Sequence, residues 1–327
     1  MEKNAVAAAK KEFRIVFMGT PDFAVHILDE LIQKEFSVVG VITAPDKPAG
    51  RGQQLNESAV KKYAEEKNLL VLQPTNLKDE KFLEQLQALQ ADLFVVVAFR
   101  MLPEIVWSMP PRGTINLHAS LLPNYRGAAP INWAILNGET ETGVTTFFIE
   151  KEIDTGKVID RSSLSIGENE TVGELHDRLM ELGAKVCAIT VQKILEGKVS
   201  GIDQLELLEG AEKNAPKLFK QTCEINWNQP VTEIHNFIRG LSPYPAAWCV
   251  LENKLKKEEK TFKLFYSEKT DRPVNNRTEI LQDKEGLYFP CKDFYLRITE
   301  LQMEGKRKMH FKDFLAGNIV SDWRLIG

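Results

Sequence analysis

The chain has 327 residues, 43% of them hydrophobic and 27% charged, with a formal net charge of −4. That length predicts two domains rather than one core, and the composition excludes a fibrous or low-complexity chain. No apolar run approaches the roughly 18 residues of a membrane span, and the opening MEKNAVAAAKKEF is too polar for a secretory leader and lacks the arginines of a transit peptide, so a cytoplasmic protein with a flexible lead-in over residues 1–12 is expected.

Phe13 to Met18 is a β-rich run that stops at Gly19-Thr20-Pro21-Asp22. Thr20 suits a helix cap and Pro21 a first turn, which predicts strand, tight turn and a helix to about Lys34. With a single glycine, the turn lacks the dinucleotide-binding fingerprint. Phe36 to Ile42 predicts a second strand and the start of a parallel βαβ sheet. The next loop, Thr43 to Leu55 (TAPDKPAGRGQQL), carries Lys47 and Arg51 with two prolines and two glycines. It is expected to be mobile and basic, and it exceeds the usual connection of about 2 to 6 residues, which favours a function over a solvated link.

Ser58 to Lys67 and Lys78 to Leu89 predict helices around a strand at Leu69 to Leu72. Asp92 to Ala98 (DLFVVVA) is the most continuous apolar run, as a central strand covered on both faces requires. Phe99-Arg100-Met101-Leu102-Pro103 leaves its carboxyl end. Pro103 opens a short helix, and Pro110-Pro111 turns the chain into Gly113 to Pro130, GTINLHASLLPNYRGAAP. There an apolar run ends in Asn116 and His118, which share one face because alternate strand residues do. Polar side chains at the carboxyl end of a strand are where open α/β proteins place their chemistry.

Ala128 to Leu136 predicts a helix, and Gly143 to Ile149 and Lys157 to Leu164 predict strands around a turn at Glu150 to Gly156. Thr171 to Glu196 predicts a long helix with Thr171 and Glu174 at capping-box spacing. Gly197 to Lys217 has linker composition. Beyond it, Thr261 to Tyr266, Gly286 to Pro290 and Phe294 to Leu301 are short strand-like runs that predict a small β-barrel.

Residues 1–210 carry 22 Lys+Arg against 30 Asp+Glu, and residues 211–327 carry 20 against 16. An acidic half joined to a basic one suggests that the basic half meets a polyanion. Cys187, Cys223, Cys249 and Cys291 have neither C-x-x-C spacing nor nearby histidines, so buried reduced thiols are expected and no metal.

Asn116 can donate through its amide, His118 can donate or accept a proton, and Asp154 can orient the histidine or take protons through water. Lacking a nucleophile in a G-x-S-x-G elbow, such a trio suits direct transfer of an acyl group to an amine, with the two N–H donors stabilising an oxyanion. The alternative on spacing alone is that Asn116 and His118 satisfy backbone groups while Asp154-Thr155-Gly156 makes a turn.

NLHASLLPNYRGAAPINW (Asn116 to Trp133), ETGVTTFF (Glu141 to Phe148) and IDTGKV (Ile153 to Val158) resemble the folate-dependent formyltransferases. The resemblance implies a Rossmann-like, mostly parallel catalytic domain over 13–196, a linker over 197–217 and an OB-like tRNA-binding barrel over 218–327. It implies 10-formyltetrahydrofolate as formyl donor and Asn116, His118 and Asp154 as the catalytic residues. Folate contacts are expected from Phe99, Arg100, Met101 and Leu102 and from Ser120, Leu121, Leu122 and Pro123. The run AFRMLP (Ala98 to Pro103) departs from the A-Y-G-x-I-L-P-like run common in the tRNA-directed enzymes, lacking its glycine and one residue.

VFMGTPDFA (Val16 to Ala24), PDKPAGRG (Pro45 to Gly52), APKLFK (Ala215 to Lys220), INW (Ile225 to Trp227) and SPYPAAW (Ser242 to Trp248) are similar to the members of the family that act on methionyl initiator tRNA. In those, the loop here bearing Lys47 and Arg51 reaches the acceptor arm. Lys254, Lys256, Lys257, Lys260 and Lys263, with Lys306, Arg307 and Lys308, are expected to meet tRNA phosphates. The competing readings are formyl transfer to glycinamide ribonucleotide or to a nucleotide-linked amino sugar, a small hydrolase releasing formate, and a non-catalytic folate- or RNA-binding module.

Overall fold

The computed structural model describes residues 8–49 and 54–326. The chain divides into two compact units, and the division is not linear: Ala128–Thr142 and Leu164–His176 group with the residues from Asn214 onward, whereas Asp177–Lys213 stays with the amino-terminal unit. The segment read as a linker is thus largely part of the first unit.

In chain order the first unit contains β1 (Arg14–Gly19), α1 (Asp22–Gln33), β2 (Ser37–Ile42), β3 (Lys47–Ala49), β4 (Gln54–Asn56), α2 (Ala59–Glu66), β5 (Val71–Leu72), α3 (Glu80–Ala88), β6 (Leu93–Val97), α4 (Glu104–Trp107) and β7 (Thr114–His118). After the short β8 (Arg126–Gly127) and α5 (Pro130–Leu136) come β9 (Glu141–Phe148), β10 (Val158–Ser165) and α6 (Val172–Leu195). The main sheet has the order β10-β9-β7-β6-β1-β2-β5. Its β1, β2, β5, β6 and β7 are mutually parallel, and β9 runs antiparallel to β7. Every residue of β6 is buried, as its unbroken apolar run requires of a strand covered on both faces. On one face Val16, Met18, Phe94 and Val96 pack with Phe82 and Leu86 of α3. Along α1, Phe23, Ile27, Leu28 and Leu31 recur at helical spacing and are all buried.

Three local expectations change. Thr20 does not cap α1; Pro21 stands at that position without a side-chain cap. The basic loop is not irregular throughout, because β3 and β4 pair as an antiparallel hairpin, Lys47 opposite Asn56. Its root is braced: Asp46 accepts from Lys61 Nζ at 2.5 Å and from Gln73 Nε2 at 2.7 Å. Within the lead-in, residues 8–12 are helical, and Lys10 Nζ lies 4.5 Å from the centre of the Phe36 ring, an attraction that orders them. The capping box of α6 forms, with Thr171 N–H donating to Glu174 Oε2 at 2.8 Å and Glu174 N–H to Thr171 Oγ1 at 3.3 Å.

The second unit holds β11 (Asn214–Ala215), α7 (Val231–Leu241), β12 (Ala247–Asn253), β13 (Glu258–Pro273), β14 (Leu281–Gln282), β15 (Leu287–Pro290), β16 (Phe294–Met303), β17 (Met309–His310), α8 (Phe311–Leu315) and β18 (Trp323–Leu325). Its sheet runs β14-β15-β16-β13-β12-β18. The register of β13 against β16 shifts at three places, and such irregularities bend and twist a sheet. The curl brings Glu279 opposite Arg324 across the two edges, giving the small barrel-like domain. Its core gathers Trp227, Phe262, Phe289, Phe314 and Trp323, with Phe262 edge-on to Phe314 and Trp323. There α5 lies on α7: Asn132 Nδ2 donates to Gly240 O at 2.8 Å, which is why residues 128–142 belong to this unit.

Candidate active site

From β1 the chain moves outward through β2 to β5, then returns to the other side of β1 as β6 and β7. The reversal between β1 and β6 opens a crevice at the carboxyl ends of the strands. Gly19 pairs with Val97 there, and a Cβ at Gly19 would stand 2.6 Å from Ala24 Cβ and 3.1 Å from Val97 O. Only glycine lets the first turn approach β6 this closely.

Asn116 and His118 lie on β7 opposite Phe147 and Thr145 of β9, on one face as expected. His118 is 8% exposed, and its Nε2 lies 2.8 Å from Tyr125 O. A carbonyl only accepts, so this contact places a proton on Nε2 and turns Nδ1 toward other partners. Asn116 is half-buried and its carboxamide has no side-chain hydrogen bond among the described residues, leaving both donors available.

Asp154 arrives from the turn after β9. Its Oδ2 accepts from Gly127 N–H at 3.1 Å, two residues beyond the carbonyl that holds His118. Residues 125 and 127 are two peptide units apart, about 7 Å at most, so one short loop gathers the histidine and the carboxylate. Ala98, Tyr125 and Asp154 all have positive φ, 45°, 65° and 56°, conformations that cost non-glycine residues roughly 1–3 kcal/mol and concentrate at functional sites. A Cβ at Gly156 would fall 1.7 Å from Phe148 O, so Asp154-Thr155-Gly156 can lie against the end of β9 only with glycine in third place.

Two polar residues that sequence reasoning left without a role complete the cluster. Gln204, inside the expected linker, is 2% exposed and donates through Nε2 to Asp154 O at 2.9 Å and Gly156 O at 2.8 Å. Its Oε1 accepts from Arg126 Nε at 3.1 Å and Nη2 at 2.6 Å, and Arg126 Nη1 reaches Glu212 at 2.9 Å. Arg126 lies in the run NYRGAAP, but nothing in the sequence pairs it with Gln204.

The expected folate contacts separate. Met101 is 75% exposed, whereas Ser120 and Leu122 are inaccessible and Leu102 is buried. Leu122 packs with Phe147 and Val158, Leu102 with the α3 core, and Ser120 Oγ donates to Asn124 O at 2.7 Å. These three side chains are therefore packed against the protein, and Pro123 beside them is buried too. Arg100 lies over the Phe99 ring at 5.7 Å and donates to Thr75 O at 3.0 Å and to Pro74 O; Leu121 is half-buried.

Lys47 is exposed; Arg51 lies outside the described residues. In the second unit Lys254, Lys256 and Lys257 occupy the β12–β13 turn and Lys306, Arg307 and Lys308 follow β16, all exposed. Because Phe262 pairs with Met303 and Asn253 with Glu258, both basic turns stand at one end of the sheet. Lys308 is paired with Glu300 at 2.6 Å, and Lys260 and Lys263 lie half-buried on β13. The four cysteines are buried and unbonded to each other; burial pushes the Cys187 and Cys291 thiols up to about 12, which keeps them protonated and unreactive. Among the described residues no cluster could hold a metal and no helix is long and apolar enough to cross a membrane.

Comparison with known proteins agrees with this architecture. The pattern of the formyl transferase family matches residues 13–191, and that of the formyl transferase C-terminal domain matches residues 217–318. Methionyl-tRNA formyltransferase of Parabacteroides distasonis is 53% identical over 315 residues, 94% of this chain and 96% of its own. The enzyme of that name from Flavobacterium johnsoniae is 51% identical, covering 95% and 98%. Among solved structures, an N-formyltransferase from Helicobacter canadensis in complex with folinic acid and dTDP-3-aminofucose superposes with a TM-score of 0.64 at 22% identity, covering 90% of this chain and 99% of that one. HypX from Aquifex aeolicus in complex with tetrahydrofolic acid gives 0.62 at 17% identity, covering 96% and 51%. With both domain patterns present in order and relatives about half identical along nearly the whole length, the chain belongs to the formyl transferase family.

Proposed function

We infer that the protein transfers the formyl group of 10-formyltetrahydrofolate to the amino group of methionyl initiator tRNA. The observation that carries this reading is the agreement along nearly the whole chain, at about half identity, with relatives named for that reaction. The gathered Asn116, His118 and Asp154 supply chemistry suited to it. The amine attacks the formyl carbon, a C–N bond forms, and charge collects on the formyl oxygen. Asn116 Nδ2 and His118 donate to that oxygen. Since Nε2–H is engaged by Tyr125 O, the donation from His118 comes through Nδ1–H. The amine's proton leaves by way of the Asp154 carboxylate and water, and the folate nitrogen departs with a proton as the C–N bond to it breaks.

Folate binding is assigned to the crevice rim, with Phe99, Arg100, Met101 and Leu121 offering contact surface. Lys47, Arg51 and the two basic turns are assigned to tRNA phosphates, which cationic side chains bind without reading sequence. A nucleotide-sugar acceptor has the Helicobacter canadensis neighbour in its favour, but at 22% identity that likeness extends to the fold alone. The deciding experiment incubates the protein with charged initiator tRNA and 10-formyltetrahydrofolate and weighs the released methionine. A formyl mass increment is expected; no increment, or equal transfer to a free nucleotide-linked amino sugar, would overturn the assignment.

A further inference from the structure

We propose that Gln204, clamped by Arg126, which Glu212 holds in turn, is a positioning residue for Asp154, so that a segment with linker composition sets the rate of formyl transfer. This rests on the reading of Asp154 as a group of the transfer site. The amide of Gln204 is fully used: its two Nε2 protons go to the carbonyls of Asp154 and Gly156, and its Oε1 takes two donors from Arg126. A buried amide with all its capacity satisfied has one orientation, and it grips the turn on both sides of Thr155. Asp154 itself sits at φ 56°, a conformation that persists only where surroundings impose it. Among the described residues the Asp154 carboxylate accepts from Gly127 N–H alone, so the backbone clamp, rather than the carboxylate's own bonds, fixes where it points. Arg126 joins the arrangement to the loop that also holds His118, one residue from Tyr125. Movement of a reacting group by about 1 Å costs on the order of 100-fold in rate.

The test is a double-mutant cycle on the full chain. Gln204→Leu keeps the volume and removes every one of these bonds. The expected result is a kcat lower by about 10- to 100-fold with KM for both substrates within about twofold, and a double variant Gln204→Leu/Asp154→Asn no slower than Asp154→Asn alone. Arg126→Lys keeps the charge opposite Glu212 but loses the planar fork on Oε1. It is expected to lower kcat several-fold with the same non-additivity, and it carries the test if Gln204→Leu does not fold. Wild-type turnover in Gln204→Leu, or in Arg126→Lys where that carries the test, would overturn the proposal while leaving Asp154's role standing, as would a loss that persists undiminished in the Asp154→Asn background. Wild-type turnover in Asp154→Asn would overturn both.

Discussion

The carboxyl edge of the parallel sheet and the curled sheet of the second unit spend their polar residues differently. At the first, Ala98, Tyr125 and Asp154 hold positive φ, and Asn116 keeps a carboxamide that is unbonded among the described residues. In the second, the polar side chains of α7 are bonded to their neighbours: His235 Nδ1 meets Ser267 Oγ at 2.9 Å and its Nε2 meets Glu168 O at 3.1 Å, while Arg239 holds the carbonyls of Gly167 and Glu170; Trp227 Nε1 and Arg297 Nε are buried there without a partner among the described residues. At the strand ends the positive-φ residues adjoin a carboxamide that a substrate can use, whereas His235 and Arg239 spend their bonds on bracing the fold.

Substitutions that fall on the two sides of this contrast should therefore separate into rate and stability effects. The largest rate effect is expected for His118→Ala, which removes an oxyanion donor worth about 2.7–4 kcal/mol; kcat should fall roughly 100- to 1,000-fold while the melting temperature moves little. Near-normal turnover would remove His118 from the chemistry. Gly156→Ala should come next, because its Cβ would displace the turn that carries Asp154; turnover should fall on the order of 100-fold, measured beside circular dichroism to show that the sheet persists.

In the second unit the expected effect is on stability and depends on pH. Burial pulls the His235 imidazole down from 6.5 to about 4. The folded state thus disfavours the proton, so His235 contributes its full stability above about pH 6.5, and the contribution is lost as pH falls toward 4. Urea midpoints between pH 7 and 4 should fall by the equivalent of at most about 3 kcal/mol, and His235→Gln should flatten that slope. An unchanged slope would mean that another group governs it.

Smaller effects belong to the exposed cations. Arg51→Ala should raise KM for tRNA about tenfold, roughly 1.4 kcal/mol, without weakening folate binding; a clear loss of folate affinity would contradict the loop's assignment. The smallest is Lys256→Ala with Lys257→Ala, which should reduce the salt dependence of tRNA binding by about one unit of slope per lost phosphate contact and leave kcat unchanged.

Much of this organisation is legible in the amino-acid sequence. The apolar run at Asp92 to Ala98 predicts a covered central strand and β6 is buried throughout; Thr171 and Glu174 predict a capping box that forms. Both are short-range, governed by strand covering or by one helical turn. The basic loop, read as mobile, contains a hairpin with a braced root, because Asp46 finds Lys61 and Gln73, partners 15 and 27 residues away. Local patterns likewise do not show that α5 groups with the second unit, because it packs on α7, a partner about a hundred residues downstream.

The candidate site divides along the same line. By itself the sequence determined the residue types, the face shared by Asn116 and His118, and the family, since period-two alternation and contiguous motifs are local properties of the chain. Only the tertiary structure decided which groups converge. It tied His118 to Tyr125 and Asp154 to Gly127, buried the side chains of Ser120, Leu102 and Leu122, and brought Gln204 from the expected linker to the backbone of Asp154. The placing of Asp154 and Gln204 depends on hydrogen bonds between residues 27 to 78 positions apart, and no local pattern encodes a partner at that distance.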